Sequence, residues 1–172
     1  MLFLVVACAD DKLEITQTQN ARENLPSLTA SNITTIISDS GITRYRISTS
    51  EWKIFDKAAE PYWLFPKGIT MERFNQSYRV DAQMRSDKAV FYSEKSLWEF
   101  TGNVKAKNLN GEQFESDQLF WDENNQRIYS DKKIKITQQF KVISGVGFES
   151  NSELTRYTIK NPQGIIPVDE AP

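Results

Sequence analysis

The chain has 172 residues, 39% of them apolar and 26% charged, and 21 Lys and Arg against 23 Asp and Glu leave a net charge of -2. That length suits one domain with a buried core, and the charge balance gives no electrostatic footing for nucleic acid. There is no histidine and a single cysteine, Cys8. This removes histidine-based acid–base catalysis and metal sites, an internal disulfide and a cysteine-built structural zinc, so no metal and no cofactor are expected.

In chain order, Met1 to Ala7 form an apolar run of seven residues, far short of the roughly 20 that span a bilayer. It reads as the end of a signal-peptide apolar region. Val5-Val6-Ala7-Cys8 resembles the lipobox of bacterial lipoproteins, in which the cysteine becomes the acylated N-terminus. Residues 1–8 are read as a signal-peptide remnant with a lipobox, and Cys8 as the lipidation site. Several acyl chains there would hold the protein stably on a membrane. A truncated transmembrane or signal segment is the other reading of the same stub. Residues 9–31 are polar, dominated by Asn, Gln, Thr and Glu, and read as a linker.

From Ile33 onward short runs of β-branched and aromatic residues alternate with turn signals. Ile33–Ile37 leads into Ser38-Asp39-Ser40-Gly41, a hairpin-type turn. Strands are predicted over Ile42–Ile47, Glu51–Phe55, Tyr62–Phe65, Ile69–Phe74, Tyr78–Gln83, Lys88–Tyr92, Leu97–Lys107, Gln113–Trp121, Arg127–Ser130, Ile134–Gln139, Lys141–Phe148 and Thr155–Ile159. Asn161-Pro162 is expected to end pairing, because proline cannot donate to a ladder; residues 162–172 then form a flexible C-terminal tail. No stretch has the length and period of a long helix. Regular strands at this spacing point to an all-β sandwich, roll or barrel.

The faces can be assigned. In Leu97–Lys107, Trp98, Phe100, Gly102, Val104 and Ala106 share one side, while Glu99, Thr101, Asn103, Lys105 and Lys107 share the other. A weak repeat accompanies this: Arg85–Tyr92 resembles Glu115–Asp122 thirty residues on, and Val104-Lys105-Ala106 matches Ile134-Lys135-Ile136 at the same offset. The unit is expected to hold about three short strands that stack on their neighbours. Carboxylates that could serve glycoside hydrolysis, Asp117, Asp122, Glu123 and Asp131, fall in turn-like positions and read as solvated loop residues.

The ordered series Phe100-Thr101-Gly102-Asn103-Val104, Gly111, then Phe114-Glu115-Ser116-Asp117-Gln118-Leu119-Phe120-Trp121-Asp122 resembles the OstA-like lipopolysaccharide-transport domains. Gly145–Ser150 is similar to their closing strand. Upstream, Trp52, Phe55, Pro61-Tyr62-Trp63 and Phe65-Pro66-Lys67-Gly68 resemble the early strands of the LptC family. The likeness covers about residues 33–160. It implies an elongated β-jellyroll of two antiparallel sheets over residues 32–161, with an apolar groove between them.

The resemblance also implies a function. A membrane-anchored protein on the periplasmic side of the inner membrane would receive lipopolysaccharide from an inner-membrane ABC transporter and pass it to an LptA-like partner. The groove residues expected to hold lipid A acyl chains are Trp98, Phe100, Val104, Phe114, Leu119, Trp121, Ile134, Ile136 and Phe148. The edge expected to meet the LptA-like partner is Thr155, Tyr157 and Ile159, by β-augmentation, and Ile33–Ile37 would face the transporter. No phosphate-binding G-x-x-x-x-G-K-[ST] loop occurs, so ATP hydrolysis belongs to a partner and no enzyme activity is expected. A surface or periplasmic lipoprotein that binds glycan or protein through an aromatic β-face is the competing reading.

Overall fold

A computed structural model describes residues 24–167 of the chain. The stub 1–8 with Cys8, the linker up to residue 23 and the tail from 168 lie outside the described residues. The strands are β1 (Leu28–Asp39), β2 (Ile42–Phe55), β3 (Tyr62–Phe65), β4 (Ile69–Phe74), β5 (Val80–Ser86), β6 (Lys88–Tyr92), β7 (Leu97–Asn108), β8 (Gln113–Asp122), β9 (Arg127–Gln138), β10 (Lys141–Asn151) and β11 (Tyr157–Pro167). A single 3-10 turn, Ser93–Lys95, joins β6 to β7.

Every pairing is antiparallel, and the strands form one continuous sheet. β3 and β4 act as one broken strand alongside β2: Lys53–Phe55 pairs with Tyr62–Leu64, and Tyr45–Thr49 pairs with Ile69–Arg73. β5 and β6 do the same alongside β7. The later strands are unbroken but slip register at the same level, between Thr101 and Val104, Ser116 and Phe120, and Val146 and Phe148. Gly68, Gly102, Asn103 and Gly147, all at positive φ, lie on this line. A bulge bends its strand, and a row of them folds the whole sheet into two facing walls. The first wall carries Tyr45–Thr49, β4, β5, Val104–Asn108, Gln113–Ser116 and Ile134–Gln138. The second carries Lys53–Phe55, β3, β6, Leu97–Thr101, Leu119–Asp122 and Arg127–Ser130. Rings meet across the gap: Tyr45 and Trp121 at 5.2 Å, Phe114 and Phe148 at 5.7 Å between centroids. The jellyroll is therefore one sheet folded on itself, with its core between the halves.

The corners have their own chemistry. A bulge releases backbone groups from the ladder, and small hydroxyl side chains satisfy them. Thr49 Oγ1 donates to the Gly68 carbonyl at 2.7 Å and Ser86 Oγ to the Lys88 carbonyl at 2.8 Å. Ser116 Oγ donates to the Lys133 carbonyl at 2.8 Å, and Ser130 Oγ accepts from the Lys132 N–H at 3.0 Å. At such a corner Asp131, Lys132 and Lys133 all face solvent. This explains why Ile42–Ile47 and Glu51–Phe55 are one strand, as are Arg127–Ser130 and Ile134–Gln138. The polar interruption marks a bend and not a turn. The thirty-residue repeat follows, with Leu97 opening β7 and Arg127 opening β9; each unit is two long bent strands, not three short ones.

The first hairpin closes at Ser40-Gly41, with φ of 51° and 78°; two residues at positive φ are what the twist-matched hairpin loop requires. Several boundaries differ from the sequence reading. Leu28–Ser31 belong to β1 and not to the linker, since their backbone pairs with Glu51–Ile54 whatever their polarity. The strand expected from Tyr78 starts at Val80, because Tyr78 holds a left-handed turn at φ 56°. Pairing does not end at Asn161-Pro162: β11 follows β10 to Lys141↔Pro167, so residues 162–167 are strand. Pro162 sits where the register slips between Ser144 and Gly145, on a strand paired on one side, where a missing N–H costs no ladder bond.

Candidate functional site

All nine predicted groove residues come together. Trp98, Phe100, Val104, Phe114, Leu119, Trp121, Ile134, Ile136 and Phe148 belong to one buried cluster, none more than 4% exposed. Register places Phe114 and Ile136 in one inner row and Trp98 and Trp121 in another, with the other five in the same buried cluster. On the first wall Ile47, Met71, Met84, Ala106, Phe114, Ile136, Ile143 and Ile165 are successive cross-strand partners. On the second wall Ile54, Trp63, Phe91, Trp98, Trp121 and Ile128 are. Directly opposed residues on one face touch, so each row is a continuous apolar track.

The track is closed in the middle and opens toward its ends. Beneath the rim, the space left between Met71 and Met84 on one wall and Trp121, Ile128 and Leu154 on the other is about 20 Å³, the room one water molecule needs. Toward the N-terminal end Trp52, Trp63 and Phe91 pack on the core but are only half-buried. Trp52 and Trp63 meet at 5.0 Å, Trp63 and Phe91 at 5.0 Å, and Phe91 stacks on Trp98 at 4.6 Å. Trp52 Nε1 is buried without a hydrogen-bond partner. At the other end Ile143 is half-buried and Ile165, its partner on the free edge β11, is 66% exposed. Trp63 and Phe91 were not singled out as groove residues in the sequence. Their alternation matches that of Phe65 and Ala89, which are buried, so alternation alone does not distinguish them.

A polar rim joins the walls where the fold would otherwise gape. Trp98 Nε1 donates to Glu123 Oε1 at 3.1 Å, and the Tyr45 hydroxyl also bonds Glu123. Burial pushes the Glu123 carboxyl above its ordinary value, and those two hydrogen bonds oppose the rise. Glu123 is thus not the solvated loop carboxylate its turn position suggests, because the turn folds under the first wall. Burial, with Glu123 beside it, pushes the Tyr45 phenol well above its usual range. Arg73 of β4 donates from Nη1 to Glu153 Oε1 at 2.9 Å across the gap. Asn108 Nδ2 donates to the Leu154 carbonyl at 2.9 Å. Tyr157 donates to Glu112 at 3.2 Å and accepts from Gln138 Nε2 at 2.8 Å; burial, then Glu112, pushes its phenol up to about 12. Above Arg73, Tyr45 and Glu123 lies a cleft of about 610 Å³.

The predicted partner edge divides. Tyr157 and Ile159 lie in β11, which pairs with β10 alone among the described strands, so its outer backbone edge is free. Their side chains turn inward onto the core. Thr155 is not in the strand. Asn151 holds it in the preceding turn, accepting from the Thr155 N–H at 3.0 Å and donating to its hydroxyl at 2.9 Å. Ile33–Ile37 lie on β1, the opposite edge, paired among the described strands with β2 alone. Asp117 and Asp131 stand at corners and Asp122 caps the β8–β9 turn through Asn125; no two of the four are brought across a cleft. Among the described residues no helix is long and apolar enough to cross a membrane.

The family profile described as lipopolysaccharide-assembly, LptC-related, matches residues 1–163. No curated protein matches the sequence.

Proposed function

This chain belongs to the LptC-related family of lipopolysaccharide-assembly proteins, and from that membership we propose that it carries lipopolysaccharide by binding and not by catalysis. It stands on the periplasmic side of the inner membrane, held there by its N-terminal segment through Cys8 or a membrane-spanning stretch. It takes lipopolysaccharide from the ABC transporter at the β1 end and yields it to an LptA-like partner at the β11 end. The observation that carries this reading is the pair of apolar rows that face each other across the gap, one beginning at half-buried aromatics near β1 and the other ending at Ile165 on the edge strand β11.

The physics fits a relay. An acyl chain gains roughly 0.8 kcal/mol per buried methylene, so retention is easy and release is the difficulty. A partner that adds a strand to β11 by backbone pairing extends the sheet and with it the track. The chain then moves between sites of similar affinity. The middle, filled by its own side chains, must part for lipid to pass.

Photocrosslinking in cells tests this. A photoreactive residue at Trp63, Phe91, Phe100, Trp121 or Ile136 is expected to form lipopolysaccharide adducts. The same residue at Glu99 or Lys105, on the outer face, is not. Adducts to protein alone from every inner position would overturn lipid carriage and favour the glycan- or protein-binding lipoprotein.

A further inference from the structure

We infer that the rim between β4 and the turn Ser152–Leu154 is a side gate into the interior, and that Arg73 is its post, taking the anionic headgroup of an amphiphile in place of the Glu153 carboxylate. The inference rests on the lipid-carrier reading and adds where the lipid enters and what it must carry.

Four observations meet there. Arg73 is fixed to its own wall by Asp81 of β5, through Nε at 2.8 Å and Nη2 at 3.0 Å. Only Nη1 crosses the gap, to a Glu153 side chain that is 46% exposed. The guanidinium would therefore stay in place if Glu153 left. Glu153 belongs to a turn that is held from within. Asn151 accepts from the Thr155 and Arg156 N–H groups and donates to Glu153 Oε2 at 2.8 Å. Opening leaves β10 paired but lifts the buried Leu154 out of the core as a plug and breaks the bonds from Trp121 Nε1 to Ser152 Oγ at 3.1 Å and from Asn108 Nδ2 to the Leu154 carbonyl at 2.9 Å. Arg73 also lies at a boundary, lining both the outer cleft and the small apolar space beneath it. Met71 and Met84 line that space, both buried, and methionine adapts its shape more readily than branched residues do. A phosphate or carboxylate satisfies the freed Nη1 donor by a charge-assisted bond, while its chain passes between the methionines and Trp121. A neutral amphiphile would leave Arg73 with an unpaired donor.

The test uses the full chain in neutral detergent, with fluorescence quenching by lipids brominated on their acyl chains. The Trp121→Phe variant identifies the share of the signal that belongs to Trp121. The probes are a brominated diacyl phosphate, a diacylglycerol with the same chains, and inorganic phosphate. The diacyl phosphate is expected to quench Trp121 at several-fold lower concentration than the diacylglycerol. Glu153→Gln is expected to lower that concentration further, roughly 3- to 10-fold. Paired Arg73→Gln and Asp81→Asn should erase the preference for the charged lipid and leave quenching by diacylglycerol in place. Inorganic phosphate should compete weakly. Quenching that ignores residues 73 and 153, while inner positions still crosslink lipopolysaccharide, overturns the gate and leaves the carrier reading standing. Tight phosphate binding without lipid quenching also overturns the gate, marking a free-anion site. No quenching by any lipid, together with no crosslinks, fails both readings.

Discussion

The middle of the folded sheet and its N-terminal end are built from the same kinds of side chain, yet they are packed differently. In the middle Phe100, Phe114, Leu119, Ile134, Ile136 and Phe148 are wholly buried. At the end Trp52, Trp63 and Phe91 continue the same inner face with part of each ring exposed. Strand pairing does not make the difference, since β2, β3 and β6 are paired on both sides like the middle strands; the three rings stand together at the β2–β3–β6 end, packed on one another and not fully enclosed by the core. Apolar residues whose burial is complete hold the walls together. Apolar residues on the same track with surface to spare can meet a ligand without unfolding anything. On the proposed reading, lipid would make first contact at the ends or at the rim, and the middle would yield only after the walls part.

The largest expected effect tests the structural role of the middle. Phe114→Ala should cost about 3–5 kcal/mol in urea denaturation, because its cavity would sit between Phe148 and Tyr157 across the gap. Next, Gly145→Val should cost about 1–3 kcal/mol by overpacking. A Cβ there would lie 2.3 Å from Ile159 Cγ2 and 2.6 Å from the Asn161 carbonyl. Amide exchange should then show protection lost along Tyr157–Pro167 while the β1–β2 hairpin keeps it. Trp63→Ala, at the open end, should cost only roughly 1–2 kcal/mol, in line with its partial burial, yet reduce lipopolysaccharide crosslinking from Phe91 more than any stability loss explains. If Trp63→Ala destabilises as much as Phe114→Ala, the end is core like the middle and the distinction fails.

How much of this was legible in the sequence depended on the range of the signal. Period-two alternation gave β7 almost to the residue, because Leu97–Lys107 faces a sealed core on one side and water on the other. Ser40-Gly41 announced its own turn. The corners misled for a local reason: Ser130-Asp131-Lys132-Lys133 reads as a loop, and only the neighbours' bulges show a bent strand. Pro162 looked like a stop, and nothing local says that it falls on a bulge at an edge. The rim was invisible. Arg73 and Glu153 lie 80 positions apart, and Glu123 reads as a turn acid until the first wall covers it. The nine groove residues were legible as inward-facing. Which inward residues retain free surface is a property of place in the sheet, which alternation does not record.

The smallest effect concerns whether the rim is sealed. Burial holds the Glu123 carboxyl above its ordinary value of 4.5. A group whose folded pKa is raised contributes stability fully below the unfolded value, and that contribution is lost as pH rises through the folded one. Glu115 acts oppositely: hydrogen bonds from Lys105 and Lys135 hold it below 4.5, so its contribution is present above that value and disappears as pH falls through the lowered one. Glu51 and Asp122 are held down as well, so the raw pH profile mixes several groups, but the difference between Glu123→Gln and the unaltered chain isolates Glu123. The variant's side-chain oxygen can still accept from Trp98 and Tyr45. The difference curve should be flat below 4.5 and climb in the variant's favour as pH rises through the window above it, measured by urea denaturation across pH 3.5–8. A curve flat at every pH would mean that Glu123 ionises as freely folded as unfolded. Water would then already reach the rim, and the walls would need no gate to part.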